Sequence, residues 1–104
     1  MPTIRILREA AEEAAEAMVW YERQRPGLGR EFERALDAAL DLLESDVIPL
    51  VSVPGESGKR GARRLVLRRF PFDIIVREHG QEFVVVAFAH HSRAPGYWHA
   101  RQGA

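Results

Sequence analysis

The sequence predicts a small α+β domain in which an N-terminal strand and a helical hairpin pack on a small antiparallel β-sheet. Two long stretches carry apolar residues at helical spacing and are separated by Arg25-Pro26-Gly27-Leu28-Gly29, a helix breaker followed by turn glycines. Three strand-like runs then fill residues 62–90, the last of them apolar at every position from Phe83 to Ala89. At 104 residues with no cysteine, the chain has room for one core and no disulfide framework, so residues 1–104 form one expected domain.

Thr3 to Leu7 carries β-branched residues at 3, 4 and 6 and stops where Ala and Glu take over, which predicts a short first strand joining a sheet made later. From Arg8 to about Arg25, the residues Ala11, Ala14, Ala15, Met18 and Tyr21 or Glu22 follow the spacing of an amphipathic helix. Leu28, Phe32, Leu36, Ala39, Leu40 and Leu43 make a second stripe that ends at Ser45-Asp46. A loop is expected from Asp46 to Gly61, rich in Pro and Gly, with Ile48, Leu50 and Val51 as anchors. Strands are expected over Ala62–Arg69, Phe72–Glu78 and Glu82–His90, the last two joined by a tight turn at His79-Gly80-Gln81. In the second, Phe72, Ile74 and Val76 alternate with Asp73, Ile75 and Arg77, giving one buried and one half-wet face. The unbroken apolar run of the third calls for cover on both faces: the hairpin on one, and the C-terminal segment or a partner on the other. Strict alternation there groups His90 with Val84, Val86 and Phe88, and His91 with Phe83, Val85, Ala87 and Ala89.

Formal charge is zero, yet residues 1–58 hold six Arg against twelve Asp and Glu, whereas residues 59–104 hold nine Lys and Arg against three acids. The basic half is a candidate landing surface for nucleic acid or an acidic protein, and the plainer alternative is that the halves neutralise one another in the fold. No run of about 18 apolar residues suggests a membrane span. The N-terminus turns acidic too quickly for a signal peptide, which makes a cytoplasmic chain with no membrane association the expectation.

Several features occur in a telling order: a first strand, a hairpin with Trp20-Tyr21-Glu22 near its tip, Gly27-Leu28-Gly29-x-x-Phe32, Arg63-Arg64 opening a strand, Arg69-Phe70-Pro71-Phe72, and Val86-x-x-x-His90-x-x-Arg93. In that order the chain resembles the RelE/ParE superfamily of toxins from type II toxin–antitoxin pairs, closer to the ParE-like, plasmid-stabilisation branch. The resemblance implies an antitoxin that binds and neutralises the chain. It implies DNA gyrase as the target on the ParE side, and messenger RNA cleaved on the ribosome on the RelE side. A member that has lost toxicity and survives as an antitoxin-binding module is a further alternative.

Cutting RNA through its own 2′-hydroxyl needs a base, a cation at the phosphate and an acid for the leaving oxygen, and His90, His91, Arg93 and Tyr97 are residues of those types. Against this, one histidine at the rim of a sheet and one in solvent is the ordinary arrangement of such a pair, because neighbours on a strand diverge. A metal site from His90, His91 and His99 lacks a completing cysteine or clustered carboxylate, so neither a metal nor another cofactor is expected. Lys59, Arg60, Arg63, Arg64, Arg68 and Arg69 read as a binding surface for an acidic antitoxin or phosphates, or as solvated strand-edge charges. Trp20 and Tyr21 read as helix-tip packing or as interface anchors, and Tyr97-Trp98 as a base-stacking pair or a terminal pair folded onto the sheet.

Overall fold

The computed structural model describes residues 3–45, 50–53, 55, 58 and 61–101. In chain order the elements are β1 (Thr3–Ile6), α1 (Arg8–Gln24), α2 (Leu28–Ser45), β2 (Val51–Ser52), β3 (Arg63–Val66), β4 (Phe72–His79) and β5 (Glu82–His90). They build one five-stranded sheet in the order β1-β5-β4-β3-β2. The β5-β4-β3-β2 part is antiparallel, as the strand pattern predicts. β1 lies parallel to β5, Thr3 opposite Glu82 and Ile6 opposite Val85, which makes the whole sheet mixed. A parallel pair needs a long connection between its strands, and the helical hairpin lies within that connection.

The two helices fall where the periodicity puts them, with one shift of phase. On α1 the inward residues are Ala10, Ala14, Ala17, Met18 and Tyr21, while Ala11 and Ala15 are exposed. On α2 the inward row is Phe32, Leu36, Ala39 and Leu43. The hairpin turn is made by Gly27 at φ +89 and tied by the Glu22 carboxylate, which accepts the Gly27 N–H at 2.9 Å and the Gly29 N–H at 3.1 Å. Those are free donors of the first turn of α2, so Glu22 caps one helix from the end of the other. Gly29 is required by close approach, since a Cβ there would lie 2.6 Å from the Met18 carbonyl oxygen.

The hairpin covers one face of the sheet. Tyr21, Phe32, Phe70 and Phe72 meet there with ring centroids 5.0–6.4 Å apart. β3 is shorter than the sequence suggests because the chain leaves the sheet after Val66, so that Phe70 turns into this cluster. β2 falls inside the expected loop, where two paired residues, Val51 opposite Arg64 and Ser52 opposite Arg63, carry no periodicity to read. Ile48 lies outside the described residues.

One irregularity changes the facing of β5. Ile75 pairs with Ala87 but Val76 with Val85, leaving Val86 as an extra residue. A bulge of this kind offsets the alternation by one position. His90 therefore shares the helix-covered face with Phe88 and, beyond the bulge, with Val85 and Phe83, not with Val84 and Val86. His91 lies past the end of the strand.

Candidate functional site

On the sheet face away from the helices, register places Arg64 and Val66 on β3 beside Ile75 and Asp73 on β4, with Ala89 on β5 opposite Asp73. The turns after β5 rise along one side of this floor and close a groove of about 710 Å³. His90, His91, Arg93 and Tyr97 all line it, so the four residues that sequence chemistry singles out are brought to one place. Its walls are mainly apolar, with Ile75, Ala89, Pro95 and Trp98 beside the cations Arg64 and Arg93.

Most of the polar groups in the groove are held by neighbours. The Asp73 carboxylate, whose side chain is 14% exposed, sits 2.9 Å from His91 Nε2 and 3.6 Å from Arg64 Nη1. His91 hydrogen-bonds one oxygen and the Arg64 guanidinium faces the other at ion-pair distance, and together they offset the cost of taking the carboxylate out of water. His90 is oriented differently: its Nδ1 accepts the Ser92 N–H at 2.9 Å and its ring meets Phe72 edge-on at 5.0 Å. The two histidines thus diverge, His90 toward the aromatic core and His91 toward Asp73. Arg93 is exposed, and its guanidinium lies over the Tyr97 ring with 3.9 Å from Cζ to the centroid. Among the described residues no group of three or more His, Asp or Glu is arranged to hold a metal ion.

Behind Tyr97 is a cluster that the sequence reading missed. β1 departs from β5 after Leu7 N–H donates to the Val85 carbonyl, which leaves the Val86 carbonyl and the Phe88 N–H on a bared edge. Glu13 of α1 accepts the Phe88 N–H at 3.1 Å, and Arg101 Nη1 donates to the Val86 carbonyl at 3.0 Å. The two side chains do for the backbone what another strand would do. They also bind each other, Arg101 Nη1 to Glu13 Oε1 at 2.8 Å and Nη2 to Oε2 at 3.0 Å, in the two-pronged geometry that suits guanidinium and carboxylate. The Tyr97 hydroxyl donates to Glu13 Oε2. Burial, and then this bond to a carboxylate, push the Tyr97 pKa far above that of a free tyrosine. The Arg101 pKa is raised as well, first by its hydrogen bond to Glu13. Residue 13 is three positions after buried Ala10 and four before Ala17, so a helix phase set by Ala10 turns it inward.

The remaining candidates are dispersed. Arg63 pairs with Glu78 at 3.3 Å across two strands. Arg69 reaches Glu31 on α2 at 2.9 Å, where Arg25 also binds at 2.9 Å, and these two guanidinium groups, Arg69 foremost, hold the Glu31 carboxyl below its ordinary range. Arg68 is exposed and makes no ion pair among the described residues. Lys59 and Arg60 lie outside them. Trp20 is 56% exposed, whereas Tyr21 beside it is buried in the aromatic cluster, where burial raises its pKa. Trp98 is buried against the sheet and stacks on His99 at 5.2 Å.

No family model matches the sequence, and neither does any curated protein. Among solved structures, the fold matches one described as the chromosomal ParDE TA system from P. aeruginosa. The TM-score is 0.71 at 20% identity, over 86% of this chain and 96% of that one. The chain has the α+β fold of the RelE/ParE type that its order of motifs resembles. None of its described helices is long and apolar enough to cross a membrane.

Proposed function

We propose that this chain is the toxin of a type II toxin–antitoxin pair, a cytoplasmic protein neutralised by direct binding of a cognate antitoxin and directed at DNA gyrase. The observation that carries the reading is the likeness of fold to the ParDE structure over nearly the whole chain. The groove adds support for action by binding rather than by cutting. A base for a 2′-hydroxyl needs a free nitrogen or phenolate aimed at open space. Here the Tyr97 hydroxyl is committed to Glu13, and the two histidines diverge, His91 Nε2 engaging Asp73 and His90 Nδ1 the Ser92 N–H, so that the nitrogens left over, His91 Nδ1 and His90 Nε2, belong to rings turned different ways. On this reading, expression without antitoxin arrests growth with a DNA-damage response that precedes any loss of messenger RNA. His91→Ala keeps most of the toxicity.

The gathering of His90, His91, Arg93 and Tyr97 around one groove favours a second reading, a RelE-like endonuclease that cuts messenger RNA on the ribosome. The test is to induce the chain and map messenger ends while following DNA damage, and to incubate purified protein with RNA, with and without ribosomes. Site-specific cleavage that vanishes in His91→Ala at unchanged Tm overturns the gyrase reading in favour of the nuclease. Absence of growth arrest, with antitoxin binding intact, would leave a non-toxic antitoxin-binding module.

A further inference from the structure

Arg93 is a guanidinium in a mainly apolar groove and makes no ion pair among the described residues, yet it is not loose. It lies over the ring of Tyr97, whose hydroxyl is fixed by Glu13, whose carboxylate is gripped in turn by Arg101. The Glu13 and Arg101 side chains are only 14% and 17% exposed. A chain of contacts therefore runs from a helix outside the groove to a groove arginine that makes no ion pair among the described residues. A cation over an aromatic face is attracted to it, and a phenol that cannot rotate offers a fixed platform. Presetting a flexible arginine removes part of the ordering cost that a ligand would otherwise meet.

We infer that Glu13, acting with Arg101 through Tyr97, is a positioning residue that presets Arg93 to receive a single carboxylate from an acidic, otherwise apolar peptide segment laid in the groove. The floor argues for a peptide over a nucleic acid. Asp73 there already engages Arg64 and His91, and Val66 and Ile75 line the floor together with Ala89 and Pro95. A polyanionic backbone would find mainly apolar walls and, of the two guanidinium groups, one already engaged by Asp73, whereas a segment with apolar side chains around one carboxylate would bury the former and pair the latter with Arg93. The inference rests on the toxin reading only insofar as such a segment belongs to an antitoxin.

The experiment uses the full chain and, as probe, a fluorescent peptide in which single Glu residues alternate with Leu and Val, together with an RNA oligonucleotide of equal net charge. Peptide binding should weaken by about tenfold in Arg93→Gln, as expected for loss of one charge-assisted bond, and by several fold in Glu13→Gln and in Tyr97→Phe. The double variant Glu13→Gln/Arg93→Gln should bind no more weakly than Arg93→Gln alone, because Glu13 acts only through Arg93. In NMR spectra the Arg93 side-chain protons, shifted upfield by the Tyr97 ring in the wild type, should move toward free values in Glu13→Gln and Tyr97→Phe. Tyr97→Phe removes one hydroxyl and keeps the ring, so it serves if Glu13→Gln does not fold. Losses that add in the double variant, or an Arg93 shift unchanged in both single variants, would overturn the positioning role. Failure of the peptide to bind, or its displacement by the RNA, would overturn the proposed ligand. None of these outcomes depends on toxicity. A chain that behaves as expected here but arrests no growth loses the toxin reading and keeps this one.

Discussion

The two ends of the helical layer are held by opposite kinds of chemistry. At the tip of the hairpin, Tyr21 and Phe32 pack with Phe70 and Phe72 in an apolar cluster, and Glu22 ties the turn through backbone donors. At the other end, Glu13, Tyr97 and Arg101 form a polar clip that fastens the C-terminal turns to α1 and to the bared edge of β5. The cluster derives its strength from area removed from water, and no single partner is indispensable to it. The clip has little apolar area of its own, and removing Glu13 or Arg101 leaves a backbone group and a charged partner unsatisfied. The tip should therefore set global stability, whereas the clip should set the order of the groove wall that carries Arg93.

The heaviest blow to the tip is Phe32→Ala. Phe32 is fully buried and touches the other three rings, so the substitution opens a cavity and should cost about 3–5 kcal/mol. Denaturant unfolding measures it. A loss confined to the hairpin, with the sheet still protected from hydrogen exchange, would break the comparison, because it would mean that the cluster does not hold the sheet and helices as one unit.

Next comes the clip. Glu13→Ala leaves the Phe88 N–H without its acceptor and the Arg101 guanidinium without its carboxylate, and should cost about 1–3 kcal/mol. Replacing both ends, Glu13→Leu with Arg101→Leu, should not recover that loss. An isolated ion pair often yields to apolar replacement, but here both partners serve backbone groups that no leucine can satisfy. Recovery of wild-type stability in the double variant would show that the edge of β5 finds other partners.

How much of this was legible in the sequence follows from the same contrast. The hairpin was readable because Phe32, Leu36, Ala39 and Leu43 repeat at helical spacing and Pro26-Gly27 breaks the run. Glu82–His90 was readable because an all-apolar strand has to be covered on both faces, and the chain's own elements already bury it from Phe83 to Phe88. The clip was not readable. Glu13 sits among Ala and Glu residues of a helix that looks solvated, and a stripe started at Ala11 instead of Ala10 turns it outward. The bulge at Val86 is hidden inside Val84-Val85-Val86, where no residue marks the extra position, so grouping His90 with Phe88 holds but grouping it with Val84 and Val86 does not. Charge along the chain was half informative. Arg69 with Glu31 joins the basic half to the acidic half, as the neutralising alternative expects, while Arg63 and Arg64 find their acids within the basic half itself.

A lighter test sharpens the tip side. Glu22→Ala removes the acceptor for two N–H groups at the start of α2 but no apolar contact, and should cost about 1 kcal/mol, the usual worth of a helix cap. Trp20→Ala on the same tip should change stability by less than about 0.5 kcal/mol, since the ring is mostly in solvent. If Trp20→Ala proves as costly as Glu22→Ala, the exposed ring is packing in solution against something absent from this structure, and a concentration dependence of Tm would identify a second copy as its cover.

The smallest effect at neutral pH becomes visible in alkali and separates the two regions by their tyrosines. The chain has two, one in each region, and both pKa values lie above the ordinary tyrosine value of 10.0. Tyr21 is raised by burial alone; Tyr97 is raised further, by burial and then by its bond to Glu13. Between the unfolded and folded pKa values, the unfolded chain has given up protons that the folded chain still holds. Stability from this source is therefore complete below pH 10 and declines as pH rises past it. Tyrosinate absorbance should appear late, as the fold gives way, and not at the pH of a free tyrosine. Tyr97→Phe should cost little at pH 7 but make stability fall less steeply above pH 10, leaving the shallower slope due to Tyr21. An unchanged slope in Tyr97→Phe would mean that the phenol is not held against Glu13 in solution, and the polar clip would lose its central member.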